Sequence, residues 1–205
     1  MLEPSTQKLW DQWNESNGPN YPHDQLVRFC FRSFSPEERK HARALDLGCG
    51  SGVHTAFLAR ENFSVTALDL SPQGVANTRA RLATLKLHAD VRVQDIAYLD
   101  CPHDFFDLVV CVSVFDSTGP HIARDSLKSV VQYMKKKSRA FFLFASHEDF
   151  RVIGSNPYHL YGYSYDEVKH LFESVDFAQV HIDSVSATYE GERFLHKDWI
   201  VTATR

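Results

Sequence analysis

The sequence lacks the features that mark several special classes of protein. Only four cysteines occur among its 205 residues, and no two of them have the spacing of metal ligands. The longest apolar stretches have the length of strands, so we expect neither a membrane-spanning segment nor a membrane partner. We find no signal-peptide pattern, and isolated cysteines favour reduced thiols in a cytoplasmic protein. Internal repeats and low-complexity segments are absent from the sequence as well.

The sequence also lacks an excess of basic residues. Its 22 lysines and arginines stand against 26 acidic residues, for a formal net charge of −4. Because nucleic-acid-binding proteins usually carry a basic face, we expect no nucleic-acid partner. The one basic run, Lys135–Lys137, is predicted to be the solvated last turn of a helix, where cations interact favourably with the helix dipole.

The chain divides into two parts of different character. Its length of 205 residues suits one domain with, at most, a small cap. Residues 1–40 contain a turn-forming Asn-Gly-Pro-Asn segment at 17–20 and several aromatic residues, namely Trp10, Trp13, Tyr21, Phe29, Phe31 and Phe34. We predict two short helices there, in an arm that either packs as core or lids a pocket. Residues 41–205 form the main domain.

From residue 42 onwards, strand patterns alternate with helix patterns. The predicted helices are Val53–Arg60, one from the N-cap Ser71 to about Lys86, one opening at Pro120, and one behind a Ser164–Glu167 capping box. Such alternation requires a parallel sheet covered on both faces. The last two strands, near residues 179–185 and 199–204, have no helix between them and should pair antiparallel. We therefore predict an α/β fold with an open, mostly parallel sheet and a C-terminal antiparallel strand pair.

A glycine-rich segment, Asp46–Gly52, joins the first predicted strand to the first helix. Its three glycines let the backbone turn sharply and approach a ligand without an intervening side chain. Open α/β sheets bind their ligands in the crevice beyond the carboxyl ends of the strands, which is where this loop lies. The segment is therefore a candidate ligand-binding loop.

Three acidic residues fall at the carboxyl ends of three successive strands: Asp46, Asp69 and Asp95. Asp69 stands where an acid can accept both hydroxyls of a ribose, and Asp95 stands where a carboxylate can meet an exocyclic amine. Each residue taken alone could simply cap a turn. Their occurrence together with the glycine loop favours a site for a nucleoside-containing cofactor.

These residues resemble the class I S-adenosylmethionine (SAM)-dependent methyltransferase family over about residues 42–145. The segment 44–52, ALDLGCGSG, corresponds to the family's first motif, and residues 106–110 resemble its fourth-strand motif. One departure is visible, because Lys137–Arg139 replaces a Pro-Gly-Gly turn that often precedes the fifth strand. The arm and the compact size look most like the small-molecule branch, including the tellurite-resistance and cell-surface-sugar methyltransferases.

The resemblance implies a Rossmann-like fold, SAM as cofactor and methyl transfer to a small-molecule acceptor by a monomer or homodimer. It implies that Asp69 binds the ribose, that Asp95 contacts the adenine, and that the end of the fourth strand contacts the cofactor near Val112. The full set of cofactor-binding candidates is Asp46, Gly48, Cys49, Gly50, Gly52, Asp69, Leu70, Asp95, Ile96, Val112 and Tyr21.

Candidates for the chemistry follow the later strands. A general base is needed only if the acceptor must lose a proton during attack, and the candidates are Asp116, His121 and His147. The loop 156–163 contains three tyrosines that either wall the acceptor pocket or anchor a surface loop: Tyr158, Tyr161 and Tyr163. Trp10 and Tyr21 are candidates to close the other side, and His54 either packs or contacts the cofactor's amino-acid end.

Four alternatives stay open at this point. A nicotinamide-binding reductase is disfavoured because Val53 stands where its fingerprint needs glycine or alanine. A nucleic-acid or protein methyltransferase is the second alternative, and the nucleic-acid kind is disfavoured because Ser113–Asp116 does not match the Asn/Asp-Pro-Pro-aromatic motif. A metal-assisted enzyme could use Asp116 as one ligand, but no Asp-Asn pair follows, so we expect no metal. The fourth alternative is a SAM-binding regulator without catalysis.

Overall fold

The computed structural model describes residues 4–16, 18–154, 158–191 and 193–205, with the side chains of residues 4–6 and 16 excepted. Parts of three predicted segments lie outside the described residues, namely Asn17, Asn156 with Pro157, and Glu192. The helices are α1 Pro4–Ser16, α2 Asp24–Ser33, α3 Pro36–Arg39, α4 Val53–Arg60, α5 Pro72–Leu85, α6 Phe115–Tyr133, α7 Phe150–Ile153 and α8 Tyr165–Glu173. The strands are β1 Arg43–Leu47, β2 Ser64–Asp69, β3 Asp90–Val93, β4 Phe106–Val112, β5 Met134–Ala145, β6 Gln179–Tyr189 and β7 Phe194–Thr204.

The strands form one sheet in the order β3-β2-β1-β4-β5-β7-β6. The strands β1 to β5 pair parallel with one another, whereas β7 pairs antiparallel with both β5 and β6. This arrangement confirms the predicted Rossmann-like fold with its C-terminal antiparallel pair. Among the described residues, no helix is both long and apolar enough to cross a bilayer.

Both faces of the sheet are buried, as the continuous apolar strands require. Alternate residues of a strand point to opposite faces, so Phe142 and Phe144 of β5 join one core cluster while Phe141 and Leu143 join the other. α6 and α8 cover the first cluster. α2, α4 and α5 cover the second, in which Leu26 of α2 is fully buried.

The order of the strands places the crevice between β1 and β4. β1 is followed in the chain by β2 on one side, and β4 is followed by β5 on the other, so the connecting helices diverge there. Leu47 pairs with Leu68 of β2 and with Cys111 of β4, which brings the three strand ends level. Divergence of this kind opens the ligand-binding crevice of an open α/β sheet.

The prediction for Lys135–Lys137 was wrong. Helix α6 ends at Tyr133, and the lysines belong to β5, which begins at Met134 opposite Phe106. Lys135 Nζ donates to both carboxylate oxygens of Asp107, at 2.8 and 2.7 Å. The helical spacing continues through Met134 in the sequence, but pairing with β4 and burial of Met134 decide the conformation.

The start of α6 also differs from the prediction. The helix begins at Phe115, and Pro120 lies inside it, directly after a kink at Gly119 with φ 75° and ψ 174°. Proline fits the beginning of the second helical segment, because its missing N–H needs no partner there. The early start carries Asp116 into the crevice on the first turn of the helix.

Helix α1 lies against the beginning of α5. Asn77 Nδ2 donates to the main-chain oxygen of Asn14 at 2.6 Å, and Ser71 Oγ donates to Asp11 Oδ1 at 2.5 Å. Ser71 is also the N-cap of α5, where its side chain accepts from Gly74 N, as the sequence predicted. The first helix is thus held at the end of β2, next to the crevice.

Candidate cofactor-binding and active site

A cavity of about 410 Å³ lies at the carboxyl ends of β1, β2 and β4. Its volume falls within the usual range of small-molecule sites. The glycine loop and the ends of the three strands form its floor, and α1, residues 19–23 and Tyr158 form its outer wall. The sheet therefore provides the polar groups, and the N-terminal region provides much of the cover.

The glycine loop packs so closely that side chains are excluded. Gly48 has φ 71°, and a Cβ atom placed on it would lie 2.3 Å from Cγ2 of Val114. The N–H groups of Gly48 and Cys49 both donate to the main-chain oxygen of Leu68, at 2.7 and 3.0 Å. The loop is thus held between the ends of β2 and β4, with Gly48, Cys49 and Gly50 in the cavity wall.

We expect Gly48→Ala to lower the free energy of unfolding by about 2–4 kcal/mol, through left-handed backbone strain and the clash with Val114. Gly191→Ala is a matched control, because Gly191 has φ 66° with nothing within 4 Å of the added Cβ. Gly191→Ala should lower the free energy of unfolding by only about 1–2 kcal/mol. Urea unfolding measures both, and equal losses in the two variants would contradict the close packing against Val114.

Asp69, at the end of β2, is held by the loop itself. Its Oδ2 accepts from Gly50 N at 2.7 Å and its Oδ1 accepts from Ser71 N at 2.8 Å. Burial raises the pKa of the carboxyl, and the two main-chain N–H groups oppose that rise. Each carboxylate oxygen can accept a second hydrogen bond, so Asp69 can bind two hydroxyl groups from the cavity.

Asp95 and Ile96 line the cavity beyond β3, and Leu70 and Val112 line it beyond β2 and β4. Asp95 Oδ1 accepts from Ala97 N at 2.9 Å, which fixes the carboxylate at the turn. The apolar side chains and the neighbouring carboxylate suit a flat, partly polar ring with an exocyclic amine. The structure thus brings these four candidates together with Asp69.

Asp46 and Gly52 lie behind the loop rather than in the cavity wall. Asp46 is buried and accepts from Thr55 Oγ1 at 2.5 Å, and burial raises its pKa to about 7. Gly52 is the N-cap of α4, with φ 77°. Both predictions of direct cofactor contact are corrected to a supporting position, because neither residue lines the cavity: the Asp46 carboxylate accepts from Thr55, and Gly52 begins α4.

Asp116 lies on the first turn of α6 with its side chain in the cavity wall and only 1% of its surface exposed. Its Oδ2 accepts from Ala145 N at 3.2 Å. Its Oδ1 is buried without a hydrogen-bond partner in the part of the chain that the structure describes. Burial raises the pKa of Asp116 to about 7, the charge of Arg151 opposes the rise, and that of Asp198 adds to it.

Arg151 lines the cavity near Asp116 and was not predicted. Its Nε donates to Asp149 Oδ1 at 2.8 Å, and its Nη2 donates to Asp198 Oδ1 at 2.5 Å. His196 Nε2 lies 2.9 Å from the other oxygen of Asp198. Ligand atoms of Asp149, His196 and Asp198 lie within 4.8 Å of one another, a spacing that a metal ion could use. Arg151 already supplies positive charge to both carboxylates.

The structure places the two histidine candidates for a base away from the cavity. The His121 side chain is 89% exposed, and its Nδ1 lies 3.3 Å from Asp125 Oδ2. His147 is exposed after β5, with Nδ1 3.3 Å from the main-chain oxygen of Tyr163. Neither residue is among those lining the cavity. The prediction is corrected for both, because the kink at Gly119 and the bend after β5 direct these side chains to solvent.

The three tyrosines of the 156–163 loop have different environments. Tyr163 is fully buried in the core, where its hydroxyl donates to the main-chain oxygen of Phe115 at 3.0 Å. The hydroxyl of Tyr161 donates to Glu167 on α8. Only Tyr158 of the three lines the cavity. The predicted substrate contacts of Tyr161 and Tyr163 are therefore corrected to structural contacts.

Aromatic side chains from distant parts of the chain form the outer wall of the cavity. The rings of Trp10 and Tyr158 stack at a centroid distance of 5.6 Å, and Trp13 meets Trp10 edge-on at 6.1 Å. Tyr21 also lines the cavity, although it is 83% exposed. The wall therefore combines one helix of the arm with the loop before α8, as the candidates Trp10, Tyr21 and Tyr158 anticipated.

His54 holds the segment that closes one end of the cavity. Its Nε2 accepts from the main-chain N–H of His23 at 3.3 Å. Burial lowers the pKa of His54 to about 4, so the ring is neutral and can accept this hydrogen bond at physiological pH. Ser51 Oγ donates to the main-chain oxygen of Pro19 at 3.1 Å and holds the other end of the segment.

Sequence reasoning missed Asn14, Trp13, His23 and Arg151 among the residues that line the cavity. One signal could have found two of them. Trp10, Trp13 and Asn14 stand at i, i+3 and i+4, the spacing of one face of a helix. Arg151 has no such signal, because its position depends on carboxylates from β7 and from the loop after β5.

Comparison with known proteins agrees with the geometry. Residues 44–137 match the family model described as a methyltransferase domain. A ubiquinone biosynthesis O-methyltransferase from Xanthomonas euvesicatoria pv. vesicatoria (strain 85-10) is 33% identical over 111 residues, which cover 53% of this chain and 46% of that protein. The matched part is thus just under half the length of that relative.

Solved structures extend the likeness to nearly the whole chain. Magnesium protoporphyrin IX methyltransferase from Synechocystis PCC 6803, with bound S-adenosylhomocysteine (SAH), has a TM-score of 0.73 at 16% identity and covers 97% of this chain and 94% of its own. N-methyltransferase NodS from Bradyrhizobium japonicum WM9, in complex with SAH, has the same score and identity, with 98% coverage of both chains. At these identities the structures show the shared fold. Residues 44–137 thus match a methyltransferase domain, within a fold that nearly the whole chain shares with SAH-bound methyltransferases.

Proposed function

We propose that this protein binds SAM in the cavity and transfers its methyl group to a small-molecule acceptor. The observation that carries the proposal is the position of Asp69, which the glycine loop holds at the end of β2 with a lone pair of each oxygen left to accept. Two residues that line the cavity, Asn14 and Asp116, each also have a buried Oδ1 without a partner among the described residues. A ligand with several hydrogen-bond donors would provide partners for these acceptor oxygens.

The chain's groups would hold the cofactor in a defined orientation. Asp69 would accept from the ribose diol and Asp95 from the adenine amine, while Ile96 and Leu70 pack against the ring. Gly48 and Gly50 would bring main-chain atoms close to the ligand. Bound SAM would supply a methyl group on a positively charged sulfur. The neutral thioether SAH is the leaving group, and it leaves readily. The protein's task is therefore to align the acceptor and to exclude water.

Asp116 is the proposed general base. A carboxylate with a pKa of about 7 is a stronger base than an ordinary aspartate and is partly ionised at neutral pH. Its free Oδ1 would accept a hydrogen bond from an O–H or N–H of the acceptor. The O-methyltransferase relatives favour a hydroxyl acceptor. The aromatic wall of Trp10, Trp13 and Tyr158 favours an acceptor with a planar or apolar body.

The remaining expectations complete the proposal. Residues 1–40 act as an arm that lids the cavity, and residues 41–205 act as the SAM-binding domain. The protein works in the cytoplasm as a monomer or homodimer without a nucleic-acid or membrane partner, in keeping with its net charge of −4. The nicotinamide alternative is not favoured, because the matching family model is a methyltransferase domain.

Binding of the demethylated cofactor tests the proposal directly. We expect calorimetry to show one site for SAH and for SAM with sub-millimolar affinity, and no binding of NADH under the same conditions. A screen of hydroxylated and amino aromatic compounds for SAM-dependent gain of one methyl group would then identify the acceptor. A folded sample that binds neither SAM nor SAH at millimolar concentration would overturn the proposal.

A further inference from the structure

Asn14 lies on helix α1 of the arm. The Nδ2 of its side-chain amide donates hydrogen bonds, whereas its Oδ1 accepts none from the described residues. The side chain is 6% exposed, and Nδ2 donates to the main-chain oxygen of Trp10 at 2.9 Å and to Ser71 Oγ at 3.3 Å. Oδ1 is buried without a hydrogen-bond partner within the described ranges of the chain. Buried polar groups normally have partners, so this oxygen needs a donor that the described residues do not supply.

The side-chain amide of Asn14 and the carboxylate of Asp69 both lie next to Gly50 and Gly74. A Cβ atom placed on Gly50 would be 3.6 Å from Asn14 Oδ1, and the N–H of Gly50 donates to Asp69 Oδ2 at 2.7 Å. On the other side, a Cβ placed on Gly74 would lie 3.1 Å from Asn14 Nδ2 and 3.2 Å from Asp69 Oδ1. The two side chains therefore border the same space in the cavity wall.

We propose that Asn14 is a second hydrogen-bond acceptor for the cofactor's ribose, with Oδ1 accepting from one hydroxyl of the diol and Asp69 accepting from the other. This inference rests on the proposed function. A vicinal diol brings two donors, and each oxygen of Asp69 already accepts one main-chain hydrogen bond. A neutral amide oxygen supplies a further acceptor without placing a second negative charge next to Asp69.

The consequence is a link between cofactor binding and the seating of α1. The helix is attached to α5 by the Asn77–Asn14 and Ser71–Asp11 hydrogen bonds. A cofactor that bonds to Asn14 stabilises this seated position, because a ligand stabilises the state that it binds. The same helix carries Trp10 and Trp13 of the aromatic wall. Cofactor binding therefore completes the acceptor pocket, and the cofactor should bind before the acceptor.

The test combines one change in the protein with one change in the ligand, in the manner of a double-mutant cycle. Calorimetry would measure the Kd of SAH and of its 2′-deoxy and 3′-deoxy forms for the wild type and for Asn14→Ala. We expect Asn14→Ala to weaken SAH binding about tenfold, the scale of one lost hydrogen bond to a buried acceptor. For one of the two deoxy ligands the difference between variant and wild type should disappear, since the hydroxyl that Asn14 accepts from is missing.

Asn77→Ala is the matched control. It removes an α1–α5 hydrogen bond but leaves Asn14 Oδ1 in place, and Asn77 does not line the cavity. We expect it to change SAH affinity less than twofold. Equal weakening in Asn14→Ala and Asn77→Ala, or an Asn14→Ala loss that is the same for all three ligands, would overturn the inference and leave only a role in seating the helix. A wild type that binds no SAH would instead overturn the proposed function.

Discussion

Replacing Asp69 with alanine is expected to weaken SAH binding by roughly 5- to 150-fold, the equivalent of about 1–3 kcal/mol for a lost charge-assisted acceptor. The variant also leaves the N–H groups of Gly50 and Ser71 without their partner. Since these N–H groups hold the loop and begin α5, a loss of about 1–3 kcal/mol in the free energy of unfolding should accompany the loss of affinity. Calorimetry and urea unfolding measure the two effects separately.

Asp183→Ala is the control for Asp69→Ala. Asp183 is an exposed residue of β6, so the change removes the same charge at a position outside the cavity. Both measurements should stay at wild-type values in this control. Unchanged SAH affinity in a folded Asp69→Ala protein would refute the role of the carboxylate in holding the ribose.

Replacing Asp116 with asparagine is expected to lower kcat by roughly 10²- to 10⁴-fold, the usual contribution of a general base. In the wild type, kcat/KM should rise with pH through about 7, because the carboxyl of Asp116 must lose its proton to act and its pKa is raised to about 7. The variant has no such group, so this inflection should vanish. Initial rates from pH 5 to 9 with the acceptor found in the screen measure the effect.

The raised pKa of Asp116 also predicts how stability depends on pH. Its usual value is 3.8 and its folded value is about 7, so between these the folded protein binds more protons than the unfolded chain. Stability contributed by this group is then present at low pH and falls as pH rises from about 4 to about 7. Asp116→Asn removes the dependence. The variant should gain stability relative to the wild type between pH 5 and pH 8, as measured by urea unfolding.

Asp125→Asn and His121→Gln are controls on the same helix. Asp125 and His121 form an exposed pair outside the cavity. Neither change should alter kcat or its pH dependence. A wild-type inflection that persists in Asp116→Asn but is lost in His121→Gln would show that the base is the histidine and that the geometric argument for Asp116 is wrong.

The elements around the glycine loop could be predicted because their signals are local. Helix α4 spans Val53–Arg60 as predicted, and α5 begins behind the Ser71 cap and ends before Lys86. The Ser164–Glu167 capping box is present as well. In each case the residues that decide the conformation stand within one turn of each other. The prediction failed at Lys135–Lys137, where pairing with a strand more than twenty residues earlier decides the structure.

Some residues of the candidate site could likewise be predicted from the sequence, and others could not. The alternation of strands with helices predicts parallel strands, and parallel strands bring Asp69, Asp95 and Val112 to one edge of the sheet. The sequence could not show which way a side chain points after a kink or a loop. His121 and His147 face solvent, and Tyr163 faces the core.

The sequence by itself determined the class of fold, the glycine loop and the acids that follow the first three strands. These depend on residue spacing within single elements and on the rule that parallel strands end at one edge. Only the tertiary structure decided that His23 and Arg151 reach the cavity. Their positions depend on hydrogen bonds and ion pairs between segments that are far apart in the chain. Contacts of that kind leave no periodic trace in the sequence, because each partner is chosen by packing in three dimensions.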